Sequence, residues 1–266
     1  MMDIKSLLKF TMFSYDCGLF VKEYIAKYKY KKWNRLTYKN SELKNYRKSD
    51  ICYICGNGPS LNKVNLDELK GDLIVMNDHW RLAPKYKKAP TYYIINDNAY
   101  GLIELKDRMQ GVLDCFPDIP HVFSTYLGPS MDCRFKNSIT NIFYYNNIGR
   151  TFKHTYTIDF TKCTYYTWNV VTAAIQLAIY VGYKEIYLLG CDYSLFASRY
   201  LEHAYDKEGV KVECPEKLRD MLFKYTITTH IHYEMAQYAK NHDVKIINLT
   251  SASLLDAYEM DPDSKY

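Results

Sequence analysis

Between residues 51 and 249, short apolar runs alternate with segments of helical spacing. Residues 51–55, 72–76 and 91–95 are each about as long as a typical strand, rich in Ile, Val and Tyr, and followed by Gly or Asn. Such runs predict buried strands. Residues 121–126 and 139–145 predict two more. Residues 61–69 read as a helix or turn. Residues 101–113 put Leu102, Leu105 and Met109 on one face, which predicts a helix. Residues 169–181 are apolar on every side, as a buried helix is, and Gly182 supplies its C-cap. A central strand over 184–189, an amphipathic helix over 232–241 and a strand over 244–249 complete the pattern. Strands alternating with helices predict an α/β fold: a Rossmann-like, doubly wound, mostly parallel sheet in one domain spanning 51–266.

In such sheets ligands bind at the carboxyl ends of the strands. The residues to inspect are therefore Gly56, Asn57, Gly58, Pro59 and Ser60 after the first strand, Asn77 after the second and Asn96 after the third. Gly190, Asp192 and Tyr193 follow the later central strand. The glycines of the 56–60 loop let backbone amides approach a phosphate. The loop is neither a full dinucleotide fingerprint nor a P-loop, which would need a lysine, and a plain tight turn is the alternative. Asparagine offers a donor and an acceptor suited to ribose hydroxyls or a base edge. Three asparagines at three strand ends point to a nucleotide site.

Charge separates the first 50 residues from the rest. They hold twelve Lys and Arg against five Asp and Glu, a net of +7, so the remainder of a chain whose total is +5 is net −2. Apolar and aromatic side chains are interleaved with those lysines. Residues 1–50 thus read as a basic amphipathic extension that can lie on an anionic membrane surface, pack on a partner subunit or remain solvated. No nucleic-acid-binding motif accompanies the charge. No apolar run reaches the ~18 residues of a membrane span. The eight cysteines are scattered apart from Cys52 and Cys55, which share a strand, so free thiols are expected and a zinc site is not. A secretory signal is not evident, and a cytoplasmic location, peripheral at the inner face of the membrane, is expected. The 28 tyrosines fit a biased composition or a pocket lined with rings.

Residues 51–77, with their Gly-Asn-Gly-Pro-Ser-Leu loop, and the stretch Gly182-Tyr183-Lys184-Glu185-Ile186-Tyr187-Leu188 followed by Gly190 and Asp192 resemble glycosyltransferase family 42, the bacterial CMP-sialic-acid sialyltransferases. They also resemble the related 6-hydroxymethylpterin diphosphokinase-like domain of bacterial polysaccharide loci. The resemblance runs from about Ile51 to Met260. It implies a single-domain, GT-A-like variant of the Rossmann fold with a mobile lid, here around 194–219. It further implies metal-independent, inverting transfer from a CMP-activated nucleotide sugar to a glycan or lipid-linked acceptor. Nucleotide contacts are implied for Asn57, Asn77 and Asn96, and no metal cofactor is expected. The family's Arg-Ile-Thr-Ser-Gly run is replaced by Thr167, Trp168, Asn169, Val170 and Val171, so sialic-acid recognition is not expected to be kept.

Histidine suits proton transfer near neutral pH. The family's catalytic histidine falls on Thr226 without gaps. A three-residue insertion brings the position to Thr229, beside His230, which is then the expected base. The stretch His203-Ala204-Tyr205-Asp206 resembles the family's Tyr-Ala-Phe-Asp. It implies that His203, with Tyr200 and Tyr205, meets the leaving phosphate, or that the two histidines exchange roles. His79, His121, His154 and His242 read as surface or turn residues. Two rival functions stand beside transfer: ATP- and Mg²⁺-dependent phosphoryl transfer using Asp97 and Asp192, and a non-catalytic nucleotide-binding scaffold. A second copy of the chain is a further candidate partner.

Overall fold

Strands β1 (Ile51–Cys55), β2 (Asp72–Met76), β3 (Tyr92–Ile95), β4 (His121–Ser124) and β5 (Ile142–Tyr145) lie side by side in chain order. The chain then forms a separate parallel pair, β6 (Asn147–Thr151) with β7 (Thr164–Tyr166), before it crosses back and adds three strands to the first sheet on the other side of β1. The sheet reads β12-β11-β8-β1-β2-β3-β4-β5, with β8 at Glu185–Leu189, β11 at Lys245–Asn248 and β12 at Glu259–Met260. Every pairing within it is parallel. The direction of progression reverses between β1 and β8, and this is the topological switch point at which such sheets open a crevice. The computed structural model describes residues 14, 17, 18, 20, 21, 24, 25, 27–134, 141–166, 168–207, 210, 212–261 and 263.

Burial explains the strands. Cys52, Ile54, Ile74, Met76, Tyr92 and Ile94 face one core, and the alternating Tyr53, Cys55, Leu73, Val75, Tyr93 and Ile95 face a second. Both faces are covered, so each strand reads as continuously apolar. The first core is closed by helices α3 (Val170–Val181) and α4 (Leu218–Asn241), the second by α1 (Lys106–Cys115) and by α2 (Gly128–Arg134). Helix α3 starts on Asn169, whose side chain accepts from the Val171 amide, and ends on Gly182 in the left-handed region. All eight cysteines are thiols, none joined in a disulfide.

Two expected helix starts are corrected, and the helix or turn expected over 61–69 is resolved. The helix expected over 101–113 begins only at Lys106, because Asp97 caps a separate 3₁₀ turn (Asn98–Gly101) and Leu102 and Ile103 face solvent. The stretch 61–69 is two 3₁₀ turns, Pro59–Lys63 and Leu66–Glu68. Helix α4 begins at Leu218, well before His232. Its threonine-rich start argues against helix by propensity. The hydroxyls of Thr226 and Thr228 satisfy themselves on the carbonyls one turn back, at 2.9 and 2.7 Å, and the helix runs through. Among expected strands, β5 begins at Ile142; residues 139 and 140 lie outside the described residues.

Part of the first 50 residues is built into the body. Leu43 is fully buried, which is worth about 1.5–3 kcal/mol. Asn40 donates to the carbonyls of Tyr144 and Phe160, both at 2.8 Å, and Tyr92 donates to the Leu43 carbonyl. Trp33 packs against Gly128. Upstream, helical residues Phe20, Val21, Tyr24, Ile25 and Tyr28 share one face and are all more than half exposed. Among the described residues, no helix is long and apolar enough to cross a membrane.

His79 and His121, expected as surface or turn residues, are both fully buried. The short 3₁₀ segment after β2 folds His79 inward against Tyr86, and β4 carries His121 between Tyr93 and Phe123. Burial pushes His79 down to about 3. It pushes His121 down to about 4, with the nearby backbone of Val112 and Ile119 pulling the other way. His154 and His242 are at least partly exposed, His154 held by Glu234 at 2.7 Å.

Candidate functional site

A cleft of about 400 Å³ opens at the switch point, over the carboxyl ends of β1, β2 and β8. The loops leaving β1 and β8 are stitched together. The Gly56 amide donates to the Leu189 carbonyl at 2.7 Å and the Gly58 amide to the Gly190 carbonyl at 2.9 Å. A Cβ on Gly56 would overlap the Gly190 carbonyl, and one on Gly58 the Asp192 carboxylate. This mutual approach is what requires glycine here. Ser60 closes the clasp, its hydroxyl donating to Asp192 at 2.7 Å and its amide at 3.3 Å.

That clasp changes the reading of the loop. The amides of Gly56, Gly58 and Ser60 already serve protein acceptors, so they do not form the phosphate cradle expected of them. Two asparagines of the cleft lining instead carry side-chain oxygens without a protein partner among the described residues. Asn57 donates its amide to the Met76 carbonyl at 3.0 Å, which leaves its Oδ1 buried with no partner among the described residues. Asn77 Oδ1 is in the same condition. Both asparagines line the cleft. An unpaired buried acceptor costs about 1–3 kcal/mol, which a donor on a ligand would recover. Asn77 sits at φ 50° and Tyr193 at φ 57°, both in the left-handed region and both beside the cleft.

Of the remaining expected residues, Pro59, Gly190, Asp192, Tyr193, Tyr200, His203 and Tyr205 also line the cleft. Ser60, Asn96 and His230 do not. Ser60 is turned under the loop toward Asp192. Asn96 ends β3, two strands from the switch point, and its Oδ1 accepts from Tyr145 at 2.8 Å and Asn147 at 3.0 Å. His230 lies in the middle of α4 rather than near its start, so no helix N-terminus acts on it. Its Nε2 lies 3.8 Å from Glu234 on an exposed face. Thr167 lies outside the described residues, while Trp168, Asn169 and Val170 form a wall of the cleft.

The segment 194–219 contributes Leu195, Ser198, Tyr200, Glu202, His203 and Tyr205 to the cleft lining. It carries a 3₁₀ turn (Leu195–Ala197) and a short antiparallel pair of β9 (Tyr200–Leu201) with β10 (Val212–Glu213). The turn at 203–206 is pinned to the 56–60 loop, since the Ala204 amide donates to the Asn57 carbonyl at 2.9 Å. Within it, Asp206 accepts from the His203 backbone amide at 2.8 Å and lies 3.1 Å from His203 Nδ1. Proton on Nδ1 suits that contact and leaves Nε2 basic. The His203 ring stacks on Tyr205 at 4.8 Å and 7°. Burial, with Asp78 and Asp206 nearby, raises the Tyr205 phenol above its ordinary value, so it remains a hydroxyl donor.

Several cleft residues were not expected from the sequence, His232 among them. His232 is fully buried, T-shaped against Tyr193, with Nδ1 2.9 Å from the Tyr258 hydroxyl. Burial pushes it down to about 3. The spacing of Thr228, Ile231, His232, Met235 and Ala239 marks one helical face, and it would have separated His232 from His230 had the helix been extended to Leu218. Among the described residues, no three of His, Cys, Asp or Glu converge as metal ligands would.

No protein-family model matches the sequence. No curated protein matches it. The fold is similar to that of the MAf glycosyltransferase from Magnetospirillum magneticum AMB-1, at a TM-score of 0.53 and 14% identity, over 89% of this chain. The chain spans only 39% of that protein's length. The monofunctional alpha-2,3-sialyltransferase Cst-I from Campylobacter jejuni gives a TM-score of 0.49 at 15% identity, covering 79% of each chain. The sialyltransferase CstII from the same organism, solved with cytidine-5'-monophosphate, gives 0.46 at 15%, covering 81% of this chain and 87% of its own. At these identities the likeness is one of fold.

Proposed function

We propose that this chain is a glycosyltransferase that takes a sugar from a nucleotide, CMP in the first instance, and moves it to a glycan or lipid-linked hydroxyl without a metal. The observation that carries the reading is the placement of His203, oriented by Asp206, in the same cleft as the two unpaired asparagine oxygens. Asn57 and Asn77 would accept from ribose hydroxyls or a base amine. His203 Nε2 would take the proton of the acceptor hydroxyl as its oxygen attacks the anomeric carbon. The nucleotide departs from the opposite face with the bonding pair on its phosphate oxygen, which inverts the centre. Tyr200 and Tyr205 would donate to that phosphate where charge develops. The 194–219 segment would limit access of water. In this assignment His203 is the base and His230 stands outside the chemistry.

The phosphoryl-transfer rival needs Asp97 and Asp192 free for a cation. Asp97 caps the Asn98–Gly101 turn through the Ala99 amide, and Asp192 holds Ser60. Its test is direct. In a thermal-shift series with CMP, CDP, UDP, GDP and ATP, CMP is expected to raise Tm most, because a ligand selective for the native state stabilises it. Turnover of the matching nucleotide sugar is expected to survive EDTA. A requirement for ATP and Mg²⁺ would sink the proposal, and binding without turnover would leave only the scaffold.

A lipid-linked acceptor also gives the N-terminal helix a place. The exposed stripe from Phe20 to Tyr28 is flanked by the exposed Lys27 and Lys29, a pattern suited to an anionic lipid surface. The full chain should float with vesicles of phosphatidylglycerol and phosphatidylcholine, not with phosphatidylcholine alone. Phe20→Glu with Ile25→Glu should abolish flotation. A halved solution mass in that variant, without any vesicle binding in the wild type, would mean that the stripe serves a second copy instead.

A further inference from the structure

Positive charge gathers beside the cleft, against the turn at 203–206. Asp78, the residue after Asn77, is buried, and its carboxylate accepts the Tyr100 hydroxyl on Oδ1. On Oδ2 it meets two guanidinium groups, Arg108 at 3.4 Å and Arg81 at 4.0 Å. Lys85, one helical stretch further on, donates to the Asn62 side chain at 2.9 Å and to the Ala204 carbonyl at 3.1 Å. Both of those acceptors are neutral. Around the 203–206 turn, three cations, Arg81, Arg108 and Lys85, therefore meet two carboxylates, Asp78 and Asp206, a local surplus of +1 in a body whose residues beyond 50 are net −2.

The surplus is coupled to the cleft wall. The Arg81 guanidinium lies over the Tyr205 ring, 4.4 Å from its centroid, and Tyr205 in turn stacks on His203. A planar guanidinium held on a ring face keeps its orientation and loses little freedom on binding, while its unused N–H groups point outward as a fork. Arg81 and Arg108 are 38% and 50% exposed, so that fork is open to a ligand. Arg81 and Arg108 share the single Asp78 carboxylate, and Lys85 has no anionic partner among these contacts. Bidentate guanidinium pairs match phosphate oxygens better than any neutral sugar group.

We infer that Arg81, Arg108 and Lys85 form a second anion site, which holds a phosphate or diphosphate group of the acceptor while its hydroxyl lies at His203. The inference rests on the glycosyl-transfer reading. It adds that the acceptor is a phosphorylated glycan or a diphosphate-linked lipid sugar rather than a neutral one. The same chemistry could come from a second phosphate on the donor, and the experiment separates the two.

The full-length protein is titrated by calorimetry with inorganic pyrophosphate, CMP and CDP. Wild type is compared with Lys85→Gln, which strands no carboxylate, and with Arg81→Gln paired with Asp78→Asn, which avoids leaving a buried charge short of partners. Pyrophosphate should bind CMP-saturated wild type and weaken about tenfold in each variant, with CMP and CDP affinities unchanged. A matching loss for CDP alone would transfer the site to the donor and overturn its assignment to the acceptor. Equal pyrophosphate binding in all three proteins, or none in wild type at millimolar concentration, would overturn the site itself. Turnover is scored separately. Loss of pyrophosphate binding in a protein that hydrolyses no nucleotide sugar would keep the anion site and refute the transferase.

Discussion

His203→Ala is expected to lower kcat for sugar transfer by about 10²–10⁴-fold, the usual contribution of a positioned general base. Nucleotide affinity should stay within about twofold, because the asparagine oxygens that would hold the nucleotide belong to other elements. Asp206→Asn should give a smaller loss, since it disturbs the imidazole's tautomer and aim while leaving the ring in the cleft. His230→Ala should leave kcat near normal, given its exposed position against Glu234. The pH profile offers a second readout: the limb governed by the base should vanish in His203→Ala and persist in His230→Ala. Normal turnover by His203→Ala, with collapse in His230→Ala, would return the base to α4.

The second large effect concerns acid. Urea midpoints should fall steeply between pH 6.5 and about 4, faster than carboxylate titration alone explains. Burial holds His79 and His232 at about 3 and His121 at about 4, all below the ordinary histidine value. Between those values and pH 6.5 the unfolded chain binds more protons than the folded one. Stability is therefore fully present above pH 6.5 and is lost as pH falls through that window. Each histidine contributes up to about 1.4 kcal/mol per pH unit, so the three together approach about 4. That is a large share of the roughly 5–15 kcal/mol of a typical domain. His79 has neither nitrogen bonded among the described residues, which makes its protonation especially costly. His79→Leu should flatten the curve by about a third. A midpoint that does not move between pH 6.5 and 5 would show that these rings are hydrated in solution.

The sheet was readable because strands covered on both faces leave unbroken apolar runs, each closed by a turn residue. The site was readable only in part. Asn57 follows β1 at the switch point and Asn77 follows β2 beside it, and both line the cleft. Asn96 obeys the same positional rule and fails it, because the rule selects an edge of the sheet and says nothing of distance along that edge. Sequence spacing also could not show that Asp192 would take up Ser60 and that Gly190 and Leu189 would occupy the loop amides, since those contacts join residues more than 130 positions apart. For the histidines the difficulty lay in one helix boundary. A threonine-rich stretch hid the first turns of α4, and with them the face that carries His232 inward and His230 outward.

Asn77 and Tyr193 hold left-handed backbone angles that glycine would adopt freely and that cost other residues about 1–2 kcal/mol. Both stand where the chain leaves a strand for the cleft. A sequence selected for thermal endurance alone would put glycine at both places and would gain by it. It would also delete a cleft oxygen and the ring that braces His232. Directed evolution of this scaffold toward robustness, scored without an activity assay, would therefore erode the cleft first, and the hardened variants would be the ones to distrust.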